Sequence, residues 1–359
     1  MKSISGYIFL VAALSALALS TCGCGSSAKV ADEPYFQTRG VVVAWDDVCD
    51  TASIDWVKLI KENGLNTISV CGHDYQSPEY LAFKQRCADN GIYFEYEDHM
   101  MTWLLPKDLY AKHPEYFRMD TTGKRVADYN GCPSSQGALD EVTKNAAKYA
   151  KLQYSTNHRY YFWLYDGGDV CHCDKCKNYN PADQAVLFEN AIIKGLKQVD
   201  PEAKLSHLCY YNTTAAPIVA KPDPDIFLLF APFYRRWDKP MSDRSAIRDG
   251  EKISHGQYLD YLEANLKVFP AETAQVLEYW MDVSQRSDWK KPAVKLDWHK
   301  DVFLKDLQTY ANYGIKNVSA YAVFVDANYV KAYKDLQFIK DYGEGLRDFR
   351  LPDQKSGKQ

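Results

Sequence analysis

The segment Tyr165-Asp166-Gly167-Gly168-Asp169-Val170-Cys171-His172-Cys173-Asp174-Lys175-Cys176 concentrates more reactive side chains than any other stretch of this 359-residue chain. It follows an aromatic, strand-like run at 159–164 and precedes a helical pattern. In parallel barrels the strand-to-helix loops are where catalytic groups are kept. Two chemistries meet in this loop. Asp166 and Asp169 are carboxylates at a strand end, suited to proton transfer, whereas Cys171-x-Cys173-x-x-Cys176 is spaced to hold a metal or to cross-link the loop.

Carboxylates in pairs suit glycoside hydrolysis, which needs one neutral acid for the leaving oxygen and one ionised group as nucleophile or base. The best pair is Asp166 as acid/base with Glu278 as nucleophile or base. Asp282 replaces Glu278 if that strand runs further, and Asp169, His99 and Glu97 complete the catalytic candidates. Tyr211, Tyr234, Trp237 and Trp280 are expected as sugar platforms, rings that stack on apolar sugar faces. Asp46, His73, Asn212, Arg235 and Asp326 also fall at strand ends, as candidate substrate contacts, and an inward Arg235 would clamp the carboxylate of an acidic sugar. Each residue also has a plain structural role open to it. Asp166 can brace the Gly167-Gly168 turn, Glu278 can sit in a salt bridge, and His73 and His99 can be hydrogen-bonded scaffold. No Gly-x-Ser-x-Gly elbow and no His-Glu-x-x-His pair occurs, which removes support from serine-hydrolase and zinc-protease chemistry.

Three cysteines this close need a fourth ligand to close a thiolate site. Cys132 is the expected partner, with His172 as the substitute. Two readings stay open: a structural zinc held by Cys132, Cys171, Cys173 and Cys176, or two disulfides among them, which an oxidising compartment permits. Both are structural, because a closed thiolate site leaves no position for substrate. No cofactor is expected for catalysis.

The elements that must position these groups alternate along the chain. Strands are expected at 41–45, 67–70, 92–96, 160–165, 204–211, 226–233, 275–281 and 318–325. Helices are expected at 54–63, 78–90, 137–152, 183–199, 257–268, 296–313 and 329–342, and 217–220 allows at most a short one. Eight strand-then-helix units with near-continuous apolar strands imply an α/β (β/α)8 TIM barrel in one domain, 36–350. Long loops follow strands three and four, and a flexible tail covers 351–359. The loop after the first strand, Ala44-Trp45-Asp46-Asp47-Val48, lacks the glycines a doubly wound nucleotide fold would show.

Lys2 and the uncharged apolar run Tyr7–Ser20 read as a signal peptide over 1–21, too short to span a bilayer. Leu19-Ser20-Thr21-Cys22 resembles the bacterial lipoprotein signal, which implies lipidation at Cys22 and a flexible tether over 22–35. The expected location is exported and membrane-anchored, facing the periplasm or cell surface. A net charge of −4 provides no basic footprint for nucleic acid. The chain holds 27 Tyr and 8 Trp, which leaves aromatic sugar platforms open alongside a Tyr-rich core.

Several motifs occur together in order: His113-Pro114-Glu115-Tyr116-Phe117, Asp120-x-x-Gly123-Lys124, Cys132-Pro133-Ser134, and Asp166-Gly167-Gly168 followed by the cysteine triplet. This set resembles a bacterial domain-of-unknown-function family of glycoside-hydrolase-like barrels, distantly related to α-glucuronidases. That family usually has Trp-Phe where this chain has Tyr116-Phe117. The resemblance implies a sugar-active barrel and a carbohydrate partner, with no settled catalytic residues. An acid at strand four and a nucleophile on strand seven also resembles the largest barrel glycosidase clan, which carries Glu at both places where this chain has Asp166 and Glu278. A glycoside hydrolase is the primary reading. A non-catalytic carbohydrate-binding lipoprotein and a metal-dependent hydrolase or deacetylase are the alternatives.

Overall fold

The computed structural model describes residues 33–72 and 77–352. Among them, eight parallel strands close into a barrel in sequence order. They are β1 (Thr38–Ala44), β2 (Thr67–Cys71), β3 (Tyr93–His99), β4 (Arg159–Trp163), β5 (Lys204–Cys209), β6 (Ile226–Phe230), β7 (Gln275–Glu278) and β8 (Asn317–Tyr321). β8 returns to β1, pairing Asn317 with Thr38 through to Tyr321 with Val42. This is the expected (β/α)8 barrel.

Parallel neighbours need a crossover, usually a helix, between them. The crossovers carry α1 (Trp45–Val48) and α2 (Trp56–Glu62) after β1, α3 (Pro78–Asp89) after β2, and α4 (Met101–Leu104) and α5 (Gln136–Leu152) after β3. Then come α6 (Pro181–Leu196) after β4, α7 (His255–Asn265) after β6, α8 (Val283–Arg286) and α9 (Lys300–Asn312) after β7, and α10 (Ala327–Tyr333) and α11 (Gln337–Asp348) after β8. Helix α6 starts where local chemistry demands it. Asn180 caps Asp183 N, Asp183 reaches back to Asn180 N, and Pro181 supplies a first-turn residue with no N–H to satisfy.

One segment allowed at most a short helix, and one helix expectation needs correction. Residues 217–220 form no helix, because the backbone N–H groups of Ile218, Val219 and Ala220 all donate to one oxygen of Asp183 (2.7–2.8 Å). The single helix expected over 329–342 is broken at Lys334, which takes a left-handed conformation (φ 51°), and restarts as α11. No helix among the described residues is long and apolar enough to cross a membrane.

Side chains divide by strand phase, since successive residues of a strand point to opposite faces. One phase fills the barrel: Val42, Tyr161, Trp163, Phe227, Leu229, Leu277 and Tyr279 pack as one cluster. The other phase, including Val41, Val43, Phe94, Val276 and Trp280, packs with the helices in the larger core. A polar layer also lies inside the barrel. Glu95 accepts from Ser69 (2.7 Å) and Asn157 (2.6 Å), while Gln275 accepts from Tyr161 (2.9 Å) and Arg159 (2.9 Å) and donates to Ser319 (2.9 Å).

Candidate functional site

The strand ends of β3 to β8 open on a cavity of about 610 Å³. Its lining is set by the inward phase: His99 on β3, Trp163 on β4, Leu208 and Tyr210 along and just past β5, Leu277 and Tyr279 along β7, and Tyr321 on β8. Loops add Asp166, Tyr211, Phe233, Tyr234, Asp282 and Trp289. The rings form a connected wall. Tyr279 stacks on Tyr321 (5.2 Å, 14°), Phe233 meets Tyr279 edge-on (5.1 Å), and Trp289 lies nearly parallel to Phe233 (6.4 Å, 21°). Burial raises the Tyr210, Tyr279 and Tyr321 phenols well above their ordinary value, so they serve as protonated donors. Burial, reinforced by Glu97 and Asp98, pushes the Cys71 thiol up to about 12, which removes it as a nucleophile.

Among the described residues, two carboxylates reach this cavity, Asp166 and Asp282. Asp166 follows β4, and its side chain is exposed, with Oδ1 3.8 Å from Nε2 of His99. The other nitrogen of His99 donates to the Leu164 carbonyl (2.5 Å), which fixes the ring and turns Nε2 toward Asp166. Asp282 caps the N-terminus of α8. Its Oδ1 accepts from the Ser284 hydroxyl (2.6 Å) and from the backbone of Ser284 (3.0 Å) and Gln285 (3.3 Å). Burial raises its pKa against these bonds. The two acids thus sit in unlike surroundings, one exposed and one enclosed.

The loop bearing Asp166 is gripped from outside the barrel. Asn130 accepts from Tyr165 N (2.9 Å) and donates to the Asp169 carbonyl (3.2 Å), while Asn212 donates to the Gly168 carbonyl (3.1 Å). At Gly168 a Cβ would lie 2.9 Å from Tyr129 and 3.0 Å from Tyr165, so only glycine fits there. Further along, Gln184 holds both backbone groups of Cys171 (2.9 Å each).

Beyond this loop turn, Cys132, Cys171, Cys173 and Cys176 form a buried group with all four Sγ atoms within 4.8 Å of one another. Among the described residues no other set of three or more His, Cys, Asp or Glu side chains lies close enough to share an ion. His172 is not part of it. That ring turns to Asp169 (3.2 Å).

Several expected site residues lie elsewhere. Glu278 is out of phase with Leu277 and Tyr279, so it points to the helix layer rather than the cavity. There it is fully buried, with Arg235 (2.6 Å) and the Tyr310 hydroxyl as partners. Arg235 is likewise buried, bridging Glu278 and Asp306 (2.6 Å), and Trp280 donates to Asp306 (2.9 Å). None of these three can touch a sugar in the cavity. Asp169 pairs with Arg118 (2.7 Å) and braces the loop. Trp237 lies outside the cavity beneath the guanidinium groups of Arg248 (4.2 Å) and Arg286 (4.7 Å). Asp326 caps α10 and pairs with Lys291 (2.7 Å), and Asp46 is exposed on α1 away from the cavity. Asn212 positions Gly168 rather than lining the main cavity. His73 and Cys22 lie outside the described residues.

Glu97 occupies the inward phase of β3 one step below His99. It is fully buried, and among the described residues neither carboxyl oxygen has a hydrogen-bond partner, since the nearby Ser69 hydroxyl donates to Glu95 instead. Burial first, and then the Glu95 charge, push its pKa up to about 8. Sequence reasoning missed Trp163, Tyr210, Phe233, Tyr279, Trp289 and Tyr321. Strand phase was the available signal for Trp163, Tyr279 and Tyr321; nothing local marked Trp289.

The chain belongs to the family described as a domain of unknown function, DUF4838, whose family model matches residues 20–342. No protein of curated function is significantly similar in sequence. Solved structures of similar fold include a β-N-acetylhexosaminidase from Bacteroides fragilis NCTC 9343, with 12% identity and a TM-score of 0.49. The match covers 88% of this chain and 66% of that one, just under two thirds of its length. ZgEngAGH5_4 in complex with a cellotriose matches with 11% identity and a TM-score of 0.46, over 88% of this chain and 98% of that one. L-ribulose 3-epimerase matches with 11% identity and a TM-score of 0.41, over 86% and 94%. The likeness is one of fold, so any reaction has to be argued from the site.

Two predictions follow from the misplaced and the unpartnered acid. Glu278→Ala should cost about 3 kcal/mol of stability by stripping a partner from buried Arg235, read as a lowered denaturant midpoint. A variant of normal stability that lost turnover would return Glu278 to the site. For Glu97, the folded pKa lies above the unfolded value, so the folded state holds a proton the unfolded state has released. Stability therefore falls as pH rises from about 4.5 to about 8, by up to about 1.4 kcal/mol per pH unit. Glu97→Gln should flatten that slope in melting curves taken across the window; parallel curves for the two proteins would contradict it.

Proposed function

We propose that this DUF4838 chain is an exported, lipid-anchored glycoside hydrolase acting on an oligosaccharide or polysaccharide. In this reading the signal peptide directs export, Cys22 carries the lipid, and the barrel faces the periplasm or cell surface. The observation that carries the enzymatic reading is the cavity itself: Asp166 and Asp282 both open on one aromatic-walled space at the C-terminal strand ends. Asp166 acts as acid/base, assisted by the His99 Nε2 that faces it. Asp282 takes the place expected for Glu278 and serves as nucleophile or base. Its Oδ1 is taken up by the cap of α8, which leaves Oδ2 for the reaction. Tyr210, Tyr211, Tyr234 and Tyr279 present faces and hydroxyls to the sugar.

A second reading, a carbohydrate-binding lipoprotein without catalysis, draws support from the burial of Glu278 in an ion network. The two readings separate on one experiment. With detergent-solubilised full-length protein in a glycan-release screen, a hydrolase releases sugar, and Asp166→Asn or Asp282→Asn lowers turnover at least about a hundredfold. Sugar affinity with no release favours the binding protein. Near-normal turnover in Asp166→Asn removes its role as acid.

The cysteine group fits a structural zinc. Tetrahedral Zn–S bonds of about 2.3 Å set the sulfurs about 3.8 Å apart, and Cys132 lies 3.8 Å from both Cys173 and Cys176. Met119 N (3.3 Å), Arg125 (3.7 Å) and the Ser134 hydroxyl (3.1 Å) approach the sulfurs as donors, the surroundings that thiolates bound to a cation call for. Zinc there would fasten the β3–β4 connection to the loop that carries Asp166. Elemental analysis should find about one zinc per chain, and chelation should lower the melting temperature while freeing four titratable thiols. Metal-free protein with no free thiols in this group would establish the disulfides instead.

A further inference from the structure

The charges around the cavity are unequal, and this bears on which sugar can enter. This argument rests on the reading of the cavity as a sugar site. Asp166 and Asp282 line it, and no Lys or Arg does so among the described residues.

Four cations around the mouth, Arg235, Arg236, Arg286 and Lys291, are engaged elsewhere, while Lys252 and Lys290 are exposed and do not line the cavity. Arg235 is enclosed by Glu278, Asp306 and the Lys239 carbonyl (2.6 Å each). Arg236 turns outward to Asp238 (2.7 Å). Arg286 lies behind the wall, donating to the carbonyls of Asp282 (2.9 Å) and Tyr279 (3.2 Å). Lys291 is held between Asp326 (2.7 Å) and Asp47 (3.3 Å).

A carboxylated sugar entering this space would lose its hydration and meet the ionised member of the Asp166–Asp282 pair, with no guanidinium or ammonium among the described lining residues and only the His99 imidazole, 3.8 Å from Asp166, beside it. A buried, unpaired anion is strongly disfavoured, and such mismatches are how sites reject wrong partners. An ammonium group would instead meet carboxylates and the negative faces of aromatic rings. We propose that the cavity takes neutral or amine-bearing sugars and excludes uronic acids. This departs from the acidic sugar that an inward Arg235 would have selected.

The test compares sugars of one stereochemistry that differ only in charge. Glucose, glucosamine and glucuronate form one series, and galactose, galactosamine and galacturonate a second, with affinity measured by ligand-detected NMR on the full-length protein. In a series that binds, the uronate should be at least tenfold weaker than the neutral sugar and the amine the tightest. Asp282→Asn should narrow that spread by weakening the amine relative to the neutral sugar. A uronate that binds as tightly as the neutral sugar overturns the charge proposal and leaves the sugar site standing. Failure of every member of both series overturns the sugar-site reading and the charge proposal with it. Because binding is measured, absence of hydrolysis affects neither conclusion.

Discussion

Strand phase in the closed barrel is the constraint on which the rest of this structure depends. Eight parallel strands leave no free edge, so each strand side chain must point either into the barrel or into the helix layer. That choice cannot be made residue by residue. Once Leu277 faces inward, Tyr279 follows it into the cavity wall and Glu278 is carried to the opposite side. The same rule stacks Glu95, Glu97 and His99 as successive rungs on β3, from a saturated polar layer to the cavity floor.

The consequence for the acids is a division of labour. Glu278 and Asp306 share Arg235 in a dry layer between β7 and α9, a network whose partners suffer if any member is removed. Asp166 and Asp282 follow their strands in sequence and so escape the strict alternation; their positions are set by a loop turn and a helix cap. A carboxylate held this way can face a cavity without being drawn into the core. Glu97 is the intermediate case, inside the barrel yet without a hydrogen-bond partner among the described residues, and it stays neutral there because burial opposes its ionisation.

The Asp166 loop depends on contacts from far along the chain. Asn130 reaches it from the connection after β3, Asn212 from the end of β5, and Gln184 from α6. Cys132 joins Cys171, Cys173 and Cys176 in the same region, so the β3–β4 connection and the loop after β4 behave as one assembly around the thiols. The dense segment from Tyr165 to Cys176 is therefore two structures in series, a carboxylate-bearing turn at the cavity and an anchor beyond it.

Much of this was legible from the chain alone. Alternating apolar strands and amphipathic helices point to a parallel sheet covered by helices, and the glycine-free loop after the first strand favours the closed barrel over an open doubly wound sheet. The spacing Cys171-x-Cys173-x-x-Cys176 determined a local cluster, and the choice of Cys132 as its fourth member needed only the length of the preceding connection. Asp166 was readable because it follows an aromatic strand pattern and adjoins two glycines. What the tertiary structure decided was direction. Reading the seventh strand to 281 when it ends at Glu278 hid the phase of Glu278 and Trp280, and nothing local says that Arg235 is claimed by Asp306 on a helix 71 residues away. Type and spacing are properties of the sequence, but which face a side chain meets, and which charge reaches it first, are settled only when all eight strands close.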